Sequence, residues 1–143
     1  MDDSSGLTPV ANVMPTAQQH HILIVDDEIN VAVTLREGLA KLPNCRVAMA
    51  TSGEQALVQL AQQPVDLLIT DYQMPGMDGL ALVAAVRQMQ PALPILMITG
   101  YGEMVLSQTV AEQSIEVVLD KPVKLATVRQ KTLEYLEKNG SER

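Results

Sequence analysis

The chain has 143 residues, 47% of them hydrophobic and 19% charged, which is typical of a single globular domain and excludes an extended disordered protein. Its formal net charge of −7 disfavours direct binding to nucleic acid or to an anionic membrane surface. The single cysteine, Cys45, excludes an intrachain disulfide, and no apolar run indicates a signal peptide or a membrane span, so we expect a cytoplasmic protein.

Short apolar runs alternate with amphipathic stretches from residue 20 onward. Residues 1–19 lack such periodicity and are predicted to form a flexible leader. The apolar runs predict five strands, at about 21–26, 45–50, 65–70, 94–99 and 115–119. The folded domain is therefore predicted to span residues 20–139, with a disordered tail at 140–143.

Each amphipathic stretch predicts a helix that follows a strand. The helical spacing of apolar residues indicates which side chains face the core. The first helix is expected to bury Ala32, Leu35, Leu39 and Leu42, and the third to bury Leu82, Val86 and Met89. A fourth, weaker helix is predicted at about 104–113 and a fifth at about 124–138. Cys45 is expected to be a small buried residue.

Capping residues mark the starts of two helices. Ser52, with Gln55 three residues later, predicts a capping box at the start of the second helix, which Pro64 ends. Asp78 is predicted to be the N-cap of the third helix.

The strand–helix unit is repeated five times along the chain. Parallel strands need crossover connections, and these are right-handed, so the repeat predicts an α/β fold. The predicted architecture is a doubly wound five-stranded parallel sheet with helices on both faces, (βα)5.

Polar residues follow four of the five predicted strands. Asp26 and Asp27 end the first strand, and Asp71 ends the third. Thr99 ends the fourth, and Lys121 follows the fifth. Because ligands bind at the carboxyl ends of the strands in such sheets, we expect these five side chains to share one site.

Four segments at these strand ends resemble the response-regulator receiver family of two-component signalling. They are residues 25–28 (VDDE), 71–79 (DYQMPGMDG), 97–100 (MITG) and 120–122 (DKP). The resemblance covers residues 20–139 and implies a flavodoxin-like strand order, 2-1-3-4-5, as in chemotaxis regulators.

The resemblance assigns the phosphoryl-accepting nucleophile to Asp71. It also implies that Asp26, Asp27 and Asp71, with the backbone carbonyl of Gln73, bind Mg²⁺, which prefers oxygen ligands. A carboxylate that attacks an anionic phosphoryl group is repelled by it. Catalysis at such a site therefore depends on positioning and on charge neutralisation.

Lys121 and Thr99 complete the implied site. The Lys121 ammonium would pair with one phosphoryl oxygen, and the Thr99 hydroxyl would donate a hydrogen bond to another. The Lys121–Pro122 peptide bond is expected to be cis. Glu28 is either a first-turn helix acid or a contact of the waters around Mg²⁺. Tyr101 is either a solvent-facing loop residue or a shield of the acyl phosphate against water.

The implied function is a phosphorylation-dependent signalling switch that assists only its own phosphorylation and dephosphorylation. The implied phosphodonor is a sensor histidine kinase or a phosphotransfer protein, and the downstream partner is an unknown protein. No direct nucleic acid binding and no membrane contact are expected. The switch would relay its state through the surface of the fourth helix, the fifth strand and the fifth helix, as a monomer or a weak phosphorylation-dependent dimer.

The chain departs from the family pattern at two positions. Val118 stands three residues before Lys121, where an aromatic switch residue is usual, and Val123 stands where phenylalanine is frequent. The route by which the signal leaves the domain therefore stays open. So does the choice between a stand-alone regulator and a piece of a longer one.

Two other functions compete with the switch. An aspartyl-phosphate phosphohydrolase also needs an Asp nucleophile and Mg²⁺, but such enzymes resemble one another in a second Asp two residues later, where this chain has Gln73. A degenerate receiver kept as an interaction module is disfavoured by the complete set of five polar residues.

Overall fold

A computed structural model of the protein describes residues 19–100 and 115–142. Five strands form one sheet: β1 (His20–Val25), β2 (Cys45–Ala50), β3 (Leu67–Asp71), β4 (Ile95–Thr99) and β5 (Val117–Asp120). Their order is β2-β1-β3-β4-β5, and every neighbouring pair is parallel. The predicted parallel sheet and its 2-1-3-4-5 order are confirmed. The helix predicted at 104–113 lies outside the described residues, as does the predicted leader except its last residue.

Four helices are described: α1 (Ile29–Leu39), α2 (Gly53–Gln62), α3 (Gly79–Met89) and α4 (Leu125–Glu142). Helix α4 corresponds to the fifth predicted helix and is longer than expected, since residues 140–142 of the predicted tail are helical. A single glycine in a helix costs only about 1 kcal/mol relative to alanine, and no proline follows Gly140, so the helix continues past it. None of the described helices is long and apolar enough to cross a membrane.

The strand side chains alternate between two hydrophobic layers, one on each face of the sheet. The layer that includes Ile22 and Ile24 takes its helical residues from α1 and α4: Ala32, Leu35, Leu39, Val128 and Leu136. The layer that includes Leu23 and Val25 takes its helical residues from α2 and α3: Ala56, Leu60, Leu82, Val83 and Val86. The predicted doubly wound arrangement is therefore confirmed.

Two residues predicted to be buried are not. Met89 is the last residue of α3 and is 44% exposed, because Val83 rather than Met89 completes the buried face of that helix. Cys45 begins β2 and is only half-buried, since β2 is an edge strand of the sheet that the described residues form. Leu42 lies beyond the end of α1 but still packs against the layer under that helix.

The predicted N-caps of α2 and α3 are present. The side chain of Ser52 accepts a hydrogen bond from the backbone N–H of Gln55 at 3.1 Å, and that of Asp78 accepts one from Ala81 at 2.8 Å. The second half of the predicted capping box differs from the expectation. The Gln55 side chain accepts from the backbone N–H of Thr51 at 2.8 Å, one residue before the N-cap. The side chain thus satisfies a donor that lies just outside the helix.

Thr132 places a polar group inside the layer between α4 and the sheet. Its side chain is fully buried, and its hydroxyl has no hydrogen-bond partner within the described part of the chain. A buried, unpaired hydroxyl costs roughly 1–3 kcal/mol, and valine has nearly the same shape. We therefore expect Thr132→Val to raise the free energy of unfolding by about 1 kcal/mol in urea titrations. Thr132→Ala, which also leaves a gap, serves as the control and should lower it; a loss of stability in the valine variant would contradict the expectation.

Candidate functional site

The carboxyl ends of the strands surround one open pocket. Among the residues that line it are Asp27, Asp71, Gln73, Thr99 and Lys121. Asp26 is buried beside them, with one carboxylate oxygen within reach of those of Asp27 and Asp71. The structure thus brings together all the residues that the sequence places at this site.

Three carboxylates form a cluster in this pocket. Asp26, Asp27 and Asp71 each offer one oxygen, and these oxygens lie within 4.8 Å of one another. Asp26 and Asp71 are buried, whereas Asp27 is exposed. Three acids held this close repel one another when ionised, so the cluster is suited to bind a cation.

The two carboxylate oxygens of Asp71 have different donors. Oδ1 accepts a hydrogen bond from the backbone N–H of Tyr72 at 2.8 Å. Oδ2 accepts one from the Lys121 ammonium at 3.1 Å, which is also an ion pair. Asp71 itself is only 7% exposed, so its carboxylate is held in one orientation at the floor of the pocket.

Burial and neighbouring charges leave the pKa values of two groups, Asp26 and Lys121, raised above their ordinary values. Burial, together with the charges of Asp71 and Asp27, raises the pKa of Asp26 to about 6, although the backbone N–H of Glu28 and the charge of Lys121 oppose the shift. Burial lowers the pKa of Lys121, but the hydrogen bond and charge of Asp71, with the charges of Asp26 and Glu28, outweigh it and leave the pKa raised. Lys121 is therefore a permanent cation at neutral pH.

The raised pKa of Asp26 predicts a pH-dependent stability. The folded protein binds the Asp26 proton more tightly than the unfolded chain does. The protonated carboxyl therefore contributes to the stability of the fold at pH 4, and this contribution is lost as the pH rises through about 6. Asn cannot ionise and can still accept the hydrogen bond that the Glu28 N–H donates to Asp26 Oδ1 at 2.9 Å. In EDTA, we expect Asp26→Asn to melt at a higher temperature than the wild type at pH 8, with a smaller difference at pH 4. A difference that does not change with pH would contradict this.

Thr99 and Lys121 are joined through the backbone. The N–H of Lys121 donates to the carbonyl of Thr99 at 2.9 Å, which extends the pairing of β4 with β5 to the pocket. The Lys121–Pro122 peptide bond is cis, as expected. Val118 is half-buried and packs against the layer under α2 and α3. Tyr101 lies outside the described residues.

Sequence reasoning missed two residues that contact the backbone of Asp71. Thr70 donates a hydrogen bond from its hydroxyl to the carbonyl of Asp71, and Gly79 packs against the same carbonyl. A Cβ on Gly79 would collide with that oxygen and lie 2.8 Å from Tyr72 Cα, so the position has room only for glycine. The DG pair of the segment 71–79 was a signal for Gly79. A threonine inside an apolar run gives no such signal, because it is an ordinary strand residue.

Comparisons with known proteins agree with this geometry. Residues 22–133 match the response regulator receiver domain. The chain is 32% identical over 111 residues to the probable chemotaxis protein CheY of Rhizobium etli, which covers 76% of this chain and 86% of that protein. It is 39% identical over 83 residues to the transcriptional regulatory protein ZraR of Escherichia coli, which covers 58% of this chain but only 19% of ZraR. The chain thus spans about a fifth of the length of that regulator.

A solved structure also matches this chain. The response regulator protein TrrA from Thermotoga maritima, in complex with Mg(2+)-BeF, matches with a TM-score of 0.74 and 26% sequence identity, over 82% of this chain and 99% of TrrA. The family match covers most of the chain, and the sheet order is that of chemotaxis-regulator-like domains. The chain therefore belongs to the response regulator receiver domain family, whose members are phosphoacceptor domains of two-component signalling.

Proposed function

We propose that Asp71 is the phosphoacceptor of this domain and that its phosphorylation requires Mg²⁺. The observation that carries the proposal is the position of the Asp71 carboxylate: it lies within 4.8 Å of two further carboxylates and 3.1 Å from the Lys121 ammonium, in an open pocket. Asp26 and Asp27 directly follow β1, the strand that pairs with β3. No other carboxylate in the described part of the chain belongs to such a cluster.

The chemistry follows from the charges of these groups. An oxygen of Asp71 attacks the phosphorus of the donor, the bond from phosphorus to the leaving group breaks, and an acyl phosphate forms on Asp71. The donor brings negative charge to a pocket that already holds three carboxylates. The Lys121 ammonium would oppose this charge directly, and the hydroxyl of Thr99, which lines the same pocket, would donate to a phosphoryl oxygen.

The residues present fit a magnesium ion. Asp26, Asp27 and Asp71 would supply hard oxygen ligands at the carboxyl ends of two neighbouring strands, and Gln73, which lines the pocket, would add its backbone carbonyl. The raised pKa of Asp26 is the response expected of a carboxylate crowded by burial and by other acids, and a divalent cation would relieve it. The bound ion would neutralise the charge of the transferring phosphoryl group. That TrrA is known in complex with Mg(2+)-BeF supports this assignment.

The wider role is also part of the proposal. We place the phosphodonor in the class of sensor histidine kinases or phosphotransfer proteins and expect the phosphorylated domain to act on a downstream protein in the cytoplasm. The domain assists only its own phosphorylation and dephosphorylation. The output would be relayed through the surface of β5 and α4 together with the fourth helix that the sequence predicts at about 104–113. The relatives include a chemotaxis protein and longer transcriptional regulators, so both kinds of output are compatible with the match.

Removal of the metal tests the proposal on the wild-type chain. Acetyl phosphate is a small phosphodonor that needs no kinase. We expect the intact mass to increase by one phosphoryl group when Mg²⁺ is present and to stay unchanged when EDTA removes it. Equal labelling with and without EDTA would contradict a Mg²⁺-dependent acceptor.

A further inference from the structure

Thr70 directly precedes Asp71 in β3 and contacts its backbone. We propose that the Thr70 hydroxyl is a positioning group for phosphorylation: it fixes the peptide unit between Asp71 and Tyr72 and thereby the orientation of the Asp71 carboxylate. The inference rests on the proposed role of Asp71 as acceptor and adds a residue that does not touch the phosphoryl group itself.

The hydroxyl of Thr70 is buried and has a defined acceptor. Thr70 is 1% exposed, and its Oγ1 donates to the carbonyl oxygen of Asp71 at 2.9 Å. Threonine is β-branched and therefore favours a strand, but valine is β-branched too and would favour it equally well. The hydroxyl therefore calls for an explanation beyond strand formation, because burying it has a cost that its hydrogen bond must offset.

The acceptor of this bond belongs to the same peptide unit that holds the nucleophile. That unit consists of the carbonyl of Asp71 and the N–H of Tyr72, and it is planar. The carbonyl accepts from Thr70, and the N–H donates to Asp71 Oδ1 at 2.8 Å. A rotation of the plane would move the N–H and release Oδ1. The Thr70 hydroxyl thus acts on the carboxylate through one rigid group.

The start of α3 contacts the same peptide unit. Gly79 packs against the Asp71 carbonyl and the Tyr72 Cα, and its N–H donates to the carbonyl of Tyr72 at 2.6 Å. With Oδ1 bound to the Tyr72 N–H, Oδ2 is left facing Lys121. The contacts from Thr70 and Gly79 together keep the two carboxylate oxygens in distinct environments, one toward the backbone and one toward the cation.

Two substitutions separate the hydroxyl from the packing. Thr70→Val keeps the shape and the β-branch but removes the donor, whereas Thr70→Ser keeps the donor but leaves a gap of one methyl group. The initial rate of phosphorylation by acetyl phosphate is measured at fixed Mg²⁺, and urea unfolding of each variant is measured in parallel. If the hydroxyl positions Asp71, we expect the valine variant to be phosphorylated about tenfold more slowly than the wild type, and the serine variant to be phosphorylated at nearly the rate of the wild type. Urea unfolding shows whether a lower rate reflects a loss of stability, because serine leaves a gap and valine removes the donor to the Asp71 carbonyl.

Three results would overturn the inference: a valine variant as fast as the wild type, a serine variant slower than the valine variant, or an equal loss of rate in both. A failure of the proposed function is distinguishable from these, because labelling would then survive in the Asp71→Asn variant. In that case the rates of the Thr70 variants would not change relative to one another.

Discussion

Asp71→Asn is expected to reduce phosphoryl labelling by acetyl phosphate to the background level. The amide keeps the shape of the side chain and can still accept from the Tyr72 N–H, but it lacks the anionic oxygen that attacks phosphorus. The variant should remain folded, because the substitution removes one charge from a cluster of three acids. Intact mass spectrometry of variant and wild type after equal exposure to the donor measures the effect.

Asp78→Asn is the matched control for this experiment. It is the same chemical change seven residues later, in the loop that leads to α3, and asparagine caps a helix as well as aspartate does. We expect this variant to be labelled like the wild type. Labelling of Asp71→Asn to the extent of the control would remove Asp71 from its proposed role.

Asp27→Ala is expected to weaken Mg²⁺ binding by about tenfold or more, because one of three carboxylates in the cluster is lost. Asp27 is exposed, so the truncation should leave the fold intact. Isothermal titration with Mg²⁺ measures the affinity, and the rate of labelling at a fixed, limiting Mg²⁺ concentration should fall in parallel.

Glu28→Gln is the control for a general loss of negative charge. Glu28 is also exposed and lines the same pocket, but its carboxylate is not part of the cluster. We expect a clearly smaller effect than that of Asp27→Ala. A Mg²⁺ affinity of Asp27→Ala equal to that of the wild type, or an equal loss of affinity in both variants, would show that Asp27 is not a direct ligand.

The parts of the site that sequence predicts best are those set by the sheet. Apolar runs ending in Asp26, Asp71 and Thr99 predict parallel strands, and the carboxyl ends of parallel strands converge on one edge. The grouping of these side chains therefore follows from strand order alone. The two N-caps could also be predicted from the sequence, because Ser52 and Asp78 accept hydrogen bonds from residues only three positions away.

The errors and omissions arise where contacts between different elements decide whether a side chain is buried or which group it touches. Periodicity placed Met89 on the buried face of α3, but Val83 completes that face and Met89, the last residue of the helix, is exposed. Cys45 has an apolar context in the sequence, yet its strand lies at the edge of the sheet. The contact of Gly79 with the Asp71 carbonyl joins the start of one helix to the end of a strand. The DG pair marks Gly79 as the start of a helix, but it does not show that this glycine touches the Asp71 carbonyl.

Direct mapping of the modified residue tests the central claim most sharply. Borohydride reduces an aspartyl phosphate to homoserine, which leaves a permanent mark at the labelled position. Trypsin releases residues 47–87 as one peptide, which contains Asp66, Asp71 and Asp78, so fragmentation of this peptide must distinguish three aspartates. After labelling with acetyl phosphate and Mg²⁺, we expect homoserine at Asp71 and unchanged aspartate at the other two. Homoserine at Asp66 or Asp78, or in the peptide that carries Asp26 and Asp27, with Asp71 unmodified, would contradict the account.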